Sequence, residues 1–163
     1  MLFMGQELLE DKYWSDSPNF FEHSLIWWDG LNSDAAMRDH LHFLRDLIAA
    51  RQRLPALRGD RINVFHTHND NRVLAFHRWL DESGQDVVVV INLREETWWQ
   101  YELGFPIAGD WSEVVNSDVY DNWVNPAAAG NGGRIAANGR PMHGLPASAM
   151  IVIPANSILV FAR

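Results

Sequence analysis

The sequence predicts a mainly β protein organised around an antiparallel β-sandwich, with one amphipathic helix ahead of it. From residue 61 onward, short runs rich in β-branched and aromatic residues recur between clusters of turn residues, at the spacing of a sandwich. One of these runs, Val87-Val88-Val89-Val90-Ile91, is apolar at every position and so reads as a central strand covered on both faces. Upstream, Met37, Leu41, Leu44 and Ile48, joined by Phe43 and Leu47, recur at the three- and four-residue spacing of a helix.

Residues 1–32 read as a short apolar strand followed by a long loop rich in Asp, Ser, Pro, Asn and Trp. A structureless loop of roughly 25 residues is unusual in a compact domain, which marks this one as part of something larger. Ser33 or Asp34 supplies the helix N-cap. Arg51 and Arg53 complement the negative end of the helix dipole, and Pro55 blocks continuation.

After Gly59 the expected strands are 61–67, 72–80, 86–93, 97–103, 111–116, 149–153 and 157–162. Asn69-Asp70-Asn71 suggests a hairpin turn, and Glu82-Ser83-Gly84-Gln85 the next. Residues 125–146, rich in glycine and proline, read as a long excursion between strands. The division falls near residues 56–60, giving a helix-bearing part, 1–58, and an all-β part, 59–163. A lone strand and one helix leave apolar faces uncovered, so the first part must dock on the sandwich or on another chain. Without such neighbours Leu2, Phe3, Met37, Leu41 and Leu44 are expected to face water in part, with association or a mobile N-terminal third as the result.

The 163 residues are too few for a complete (β/α)₈ barrel of about 250. A formal charge of −8 argues against nonspecific binding to nucleic acid or to anionic membranes, both of which need a basic surface. The chain has no cysteine, which removes disulfides and thiolate metal sites and agrees with a reducing, cytoplasmic setting. Met1-Leu2-Phe3-Met4 is apolar but stops at Gly5-Gln6-Glu7, too short for a signal peptide or a membrane span. No cofactor is expected, since Gly130-Asn131-Gly132-Gly133 lacks the Lys-Ser/Thr of a phosphate loop. His66 and His68, with His77 across a hairpin, are the only cluster with metal-like spacing. Such hairpins are far more often polar faces than zinc sites, so no metal is expected.

Eight tryptophans are many for this length. Their faces suit sugar rings, although a buried Trp is usually packing. Three segments carry a resemblance. Met1-Leu2-Phe3-Met4-Gly5-Gln6-Glu7, Trp14, Leu25-Ile26-Trp27-Trp28 and Arg45-Asp46-Leu47 up to Leu54-Pro55-Ala56-Leu57 form the first. Asn116-Ser117-Asp118 with Gly130-Asn131-Gly132-Gly133 is the second, and Ile151 to Phe161 the third. In order and spacing they resemble the last strand, loop and last helix of the catalytic barrel, then the C-terminal all-β domain, of 1,4-α-glucan branching enzymes in the α-amylase superfamily.

The resemblance implies a family that cuts an α-1,4 glucan and transfers the segment to a 6-hydroxyl with retention, using two carboxyl groups about 5–5.5 Å apart. Those carboxylates belong to earlier barrel strands, so this chain is expected to hold no catalytic residue and to be inactive alone. It implies α-glucan (glycogen, starch or maltooligosaccharide) and the rest of the barrel as partners. Glu7, at the end of the opening strand, would point at the substrate face or be a structural carboxylate. Trp14, Trp27 and Trp28 would wall the glucan groove or pack between domains. On the strand at 97–103, alternation sends Trp99 and Tyr101 to one face and Trp98 to the other, leaving one Trp for a surface glucan site. Other readings remain: a free-standing carbohydrate-binding module, a split enzyme completed by a second chain, or the corresponding part of an amylase-type hydrolase.

Overall fold

The computed structural model describes residues 3–11, 17, 25–81 and 84–163. These form eight strands: β1 (Arg61–His68), β2 (Val73–Leu80), β3 (Gln85–Asn92), β4 (Trp98–Phe105), β5 (Gly109–Asn116), β6 (Arg134–Ala137), β7 (Ala147–Ile153) and β8 (Ser157–Ala162). Six make one antiparallel sheet in the order β1-β2-β3-β8-β5-β6, and β4 pairs with β7 in a second sheet. The valine run is the reason β3 sits inside the larger sheet. Val88 and Val90 face the small sheet, where Trp111, Leu159 and Phe161 meet Leu103, Phe105, Ile151 and Ile153. Val87 and Val89 face the other way, with Val115, Val160 and Ala162, into a second apolar layer.

That second layer is closed by the helical part. α1 (Gly30–Ser33) leads into α2 (Ala35–Arg53), whose N-cap Asp34 accepts a hydrogen bond from the Met37 amide at 3.2 Å. Arg51 and Arg53 lie in the last turn, and Pro55 opens a 3₁₀ turn, Pro55–Leu57. Ala50 and Ala56 are fully buried against the sheet, with Phe43, Leu54 and Leu57 packed around them. At 100° per residue, positions 43 and 50 form one stripe of α2, continued by the cap residue Leu54, and positions 37, 41, 44 and 48 another, about 140° around the helix. The first stripe is taken by the sandwich. The second faces away from it, and Ile48 on it is 57% exposed.

Met37 departs from the expected exposure. It is buried, because Trp27 and Gly30 close over it: a Cβ at Gly30 would lie 2.3 Å from the Met37 sulfur. Leu41 and Leu44 are half-buried and Phe3 is exposed, as expected, and Leu2 lies outside the described residues.

The opening segment is not a strand where it is described. Gly5, at φ 88°, turns the chain into a 3₁₀ turn at Gln6–Leu8, and no described strand lies alongside to supply a ladder. The excursion at 125–146 also hides a strand. β6 pairs with β5 and alternates exposed and buried, with Ile135 and Ala137 inward.

Two polar clasps hold the long connection after β5. Asn131 donates from Nδ2 to Glu113 Oε1 (2.9 Å) and to the Val152 carbonyl (3.0 Å), and accepts the Val152 amide at Oδ1 (2.8 Å). It thereby imitates a strand residue for β7 while holding on to β5. Asn116 and Asp118 do similar work on Ala129, whose carbonyl accepts from Asn116 Nδ2 and whose amide donates to Asp118 Oδ2. Further on, the loop lies flat on the small sheet because two glycines permit it. A Cβ at Gly104 would meet the Met142 carbonyl oxygen at 2.4 Å, and one at Gly139 would meet Ser148 Oγ at 2.3 Å.

Candidate functional site

The residues singled out from the sequence fall in two places. Glu7 sits half-buried in the opening 3₁₀ turn. Nearby, the Glu10 carboxylate accepts the Trp27 amide, and Trp27 and Trp28 are 50% and 61% exposed. Trp14 lies outside the described residues.

The second place is the start of β4. Here simple alternation fails. Trp98 pairs with Ile153 and Tyr101 with Ile151, so β4 carries one extra residue, a β-bulge. The bulge turns Trp98 and Tyr101 inward together, in edge contact at 5.9 Å, and leaves Trp99 67% exposed. Arg94 lies over the Trp98 ring at 5.4 Å. The two adjacent tryptophans therefore point apart, and only Trp99 offers a free ring here.

The hairpin register decides the histidines. His66 lies opposite Ala75 and His68 opposite Val73, while His77, further along β2 and past a bulge at Phe65, lies opposite Asn63. His77 is not across from the other two as the hairpin reading had it. It bonds Asp86 at 2.5 Å and stacks on Trp79. His66 instead meets His143 from the 141–146 turn, stacked at 4.0 Å, and its Nε2 bonds the Tyr101 hydroxyl at 2.7 Å. His68 Nδ1 accepts the Asn71 amide and His143 Nδ1 accepts the Gly104 amide. Each spends the lone pair of its neutral ring on backbone, so neither has one left for a metal. Among the described residues no three His, Asp or Glu side chains are grouped to hold a metal ion.

Burial, then the neighbouring His143 and His68, pushes His66 down to about 4. Burial also lowers His143, against a smaller opposing pull from Glu102. The unfolded chain therefore binds more protons than the folded one between pH 6.5 and about 4. Stability contributed by neutral His66 is complete above 6.5 and is lost as pH falls through that window. In a histidine NMR titration, the His66 ring is expected to stay neutral to about pH 4. A midpoint near 6.5 would show that the stack does not form in solution.

The carboxylates of the sandwich are mostly spoken for. Glu113 accepts from Asn131 and Gly133, Asp118 from Ala129, Glu102 from Ser148 and Arg140, and Asp86 holds His77. Such groups hold backbone and neighbouring side chains in place; they are not arranged as a nucleophile with its acid. The Asn-Ser-Asp and Gly-Asn-Gly-Gly motifs read from the sequence are thus the clasps of the long connection.

One polar feature was not legible in the sequence. Between α2, the turn after β5 and the β7–β8 hairpin lies a groove of about 320 Å³, lined in part by Asp39, His40, Phe43, Tyr120, Asn122 and Asn156. Residues so far apart in the chain show no shared motif. The only local sign is a lone Asn in the Pro154-Ala155-Asn156-Ser157 hairpin, which adopts φ 44°.

Comparison with known proteins agrees with this architecture. The family described as "Alpha amylase, C-terminal all-beta domain" matches residues 64–163. A 1,4-alpha-glucan branching enzyme GlgB of Mycolicibacterium paratuberculosis is 35% identical over 98% of this chain and 21% of its own length. The enzymes of the same name from Mycobacterium sp. (strain KMS) and Nocardia farcinica are 32% and 30% identical over 99% of this chain. The chain spans about a fifth of the length of these relatives. A solved alpha-glucosyl transfer enzyme, XgtA, aligns with 91% of this chain and 24% of its own at 22% identity and a TM-score of 0.49. With its antiparallel two-sheet core and more than half its length matched, the chain belongs to the α-amylase C-terminal all-β domain family.

Proposed function

We propose that the chain is the C-terminal part of a 1,4-α-glucan branching enzyme, in which the helical part, through residue 58, ends the catalytic barrel and residues 59–163 buttress it. The observation that carries this reading is the apolar exposure of the helical part away from the sandwich. One side of α2 is welded to the sandwich; on the other Ile48 is exposed and Leu41 and Leu44 are half-buried, and the segments ahead of the helix add the exposed Phe3, Met4, Trp27 and Trp28. An exposed apolar set of this kind is what a docked domain covers. In this reading the carboxylates that cut and transfer the glucan belong to the barrel, and the chain works in the cytoplasm on glycogen-type substrates. No helix among the described residues is long and apolar enough to cross a membrane. Trp99 favours an added glucan-holding role, as an exposed ring at a strand end.

Two assays test the reading. The chain alone is expected to leave the iodine stain of amylose unchanged. A chimera in which it replaces the matching segment of the Mycolicibacterium enzyme is expected to branch amylose. Branching by the isolated chain, or a well-folded but inactive chimera, would overturn the proposal. Calorimetry with maltoheptaose on the chain and on Trp99→Ala separates glucan holding from a purely structural role.

A further inference from the structure

The groove between α2 and the β7–β8 hairpin has hydrogen-bonding capacity that the fold does not use. Among the described residues, the Asn156 side-chain amide and the His40 ring nitrogens make no hydrogen bond, and the Asn122 side-chain amide reaches only its neighbour Asp121 at 3.3 Å. Asp39, which lines the groove, accepts the Trp123 amide at Oδ2 (3.1 Å), and its other oxygen accepts no hydrogen bond among the described residues. Phe43 and Tyr120, in edge contact at 5.3 Å, form an apolar wall. The Tyr120 hydroxyl donates to Asp46 at 2.5 Å; burial and this bond raise its pKa well above the usual phenol range, so the ring is held in place as a neutral phenol.

The kind of ligand follows from that inventory. Among the described residues no Lys or Arg lines the groove, and Asp39 and Asp121 make it acidic, so phosphorylated or carboxylated molecules are repelled. Its volume is at the low end for small-molecule sites. Carboxylate oxygens accept from hydroxyls, amides both donate and accept, and an aromatic wall takes the C–H face of a ring. We infer that the groove is a subsite for a neutral sugar ring, the end or a turn of an α-glucan chain, held where the helix meets the sandwich. The choice of glucan among neutral sugars rests on the function proposed above.

Two lining residues allow a clean test. Asn122 (φ 58°) and Asn156 (φ 44°) both hold the left-handed conformation that glycine adopts freely, so Asn122→Gly with Asn156→Gly removes two amides without straining the backbone. His40→Ala, on a helix surface, is an independent second variant. Amide NMR spectra of the full chain are titrated with maltotriose, maltoheptaose and, separately, calcium chloride. Shifts with the oligosaccharides are expected at 36–43, 117–122 and 156, and the double glycine variant should bind about tenfold more weakly, equivalent to about 1.4 kcal/mol. Trp99→Ala should leave these shifts in place. Shifts gathered at Trp99 or Trp27–Trp28 with a silent groove would sink the subsite but keep a glucan-holding protein. No shifts with either oligosaccharide would sink both. Groove shifts with calcium alone would assign it to a cation and overturn the inference.

Discussion

Trp111→Ala should cost about 3–5 kcal/mol, the range for emptying a buried tryptophan site, and so remove much of the roughly 5–15 kcal/mol that holds a domain together. Trp111 is fully buried, packs on Phe105 at 5.2 Å and donates from its indole nitrogen to the Ile107 carbonyl at 3.0 Å. It contributes from the larger sheet to the layer that joins the two sheets, so the cavity opens in the apolar packing between them. Urea unfolding should show a much lower midpoint. Trp111→Phe keeps a ring in the site and loses the indole bond, so it should cost less than half as much. If the alanine variant melts within a few degrees of the parent, the two-sheet core is wrong.

Asn131→Ala should be the most damaging polar substitution, at about 2–4 kcal/mol, because it leaves several groups short of partners at once. The Val152 amide and carbonyl and the Glu113 carboxylate each lose a bond from this one side chain. Asn131→Asp discriminates the cause. A carboxylate still accepts the Val152 amide, but it cannot donate to Glu113 or to the Val152 carbonyl, and it sets two negative charges side by side. Its loss should therefore be smallest at acid pH, where one of the pair is protonated, and grow toward neutrality. A pH-independent loss equal to that of alanine would mean that Glu113 is not the partner. Thermal melts of both variants across pH 4–8 make the measurement.

Most of the secondary structure was legible because its signals are local. The α2 cap at Asp34, its arginine-rich end and Pro55 lie within the segment they define, and the strands on either side of Asn69-Asp70-Asn71 are bounded by it. β6 was hidden because four residues, Arg134 to Ala137, give only two inward positions in a glycine-rich setting. The side-chain direction of Trp98 was misread because a bulge inserts a residue without any composition signal and reverses alternation beyond it. His77 shares a face with Val73 and Ala75, which lie opposite His68 and His66, but it sits two residues further along β2, a register that composition does not reveal. The opening segment read as a strand because its apolar residues were visible and its lack of a ladder partner was not. Of the candidate site, the exposed ring of Trp99 was within reach of the sequence. The groove was not, since Asp39 and Asn156 become neighbours only after the whole sandwich closes.

The double-sided sheet has a mechanical consequence. Val87 and Val89 point at the helix while Val88 and Val90 point at the small sheet, so consecutive residues of a single strand anchor both neighbours. Bending α2 away from the sandwich would mean pulling Ala50 and Ala56 out of the layer they fill, with no glycine-rich linker between helix and β1 to absorb the motion. Whatever rests on the 37, 41, 44 and 48 side of that helix turns with the sandwich as one rigid body, like a beam set into masonry. A push applied at the groove beside Asn156 would be felt across the helix without any hinge to soften it.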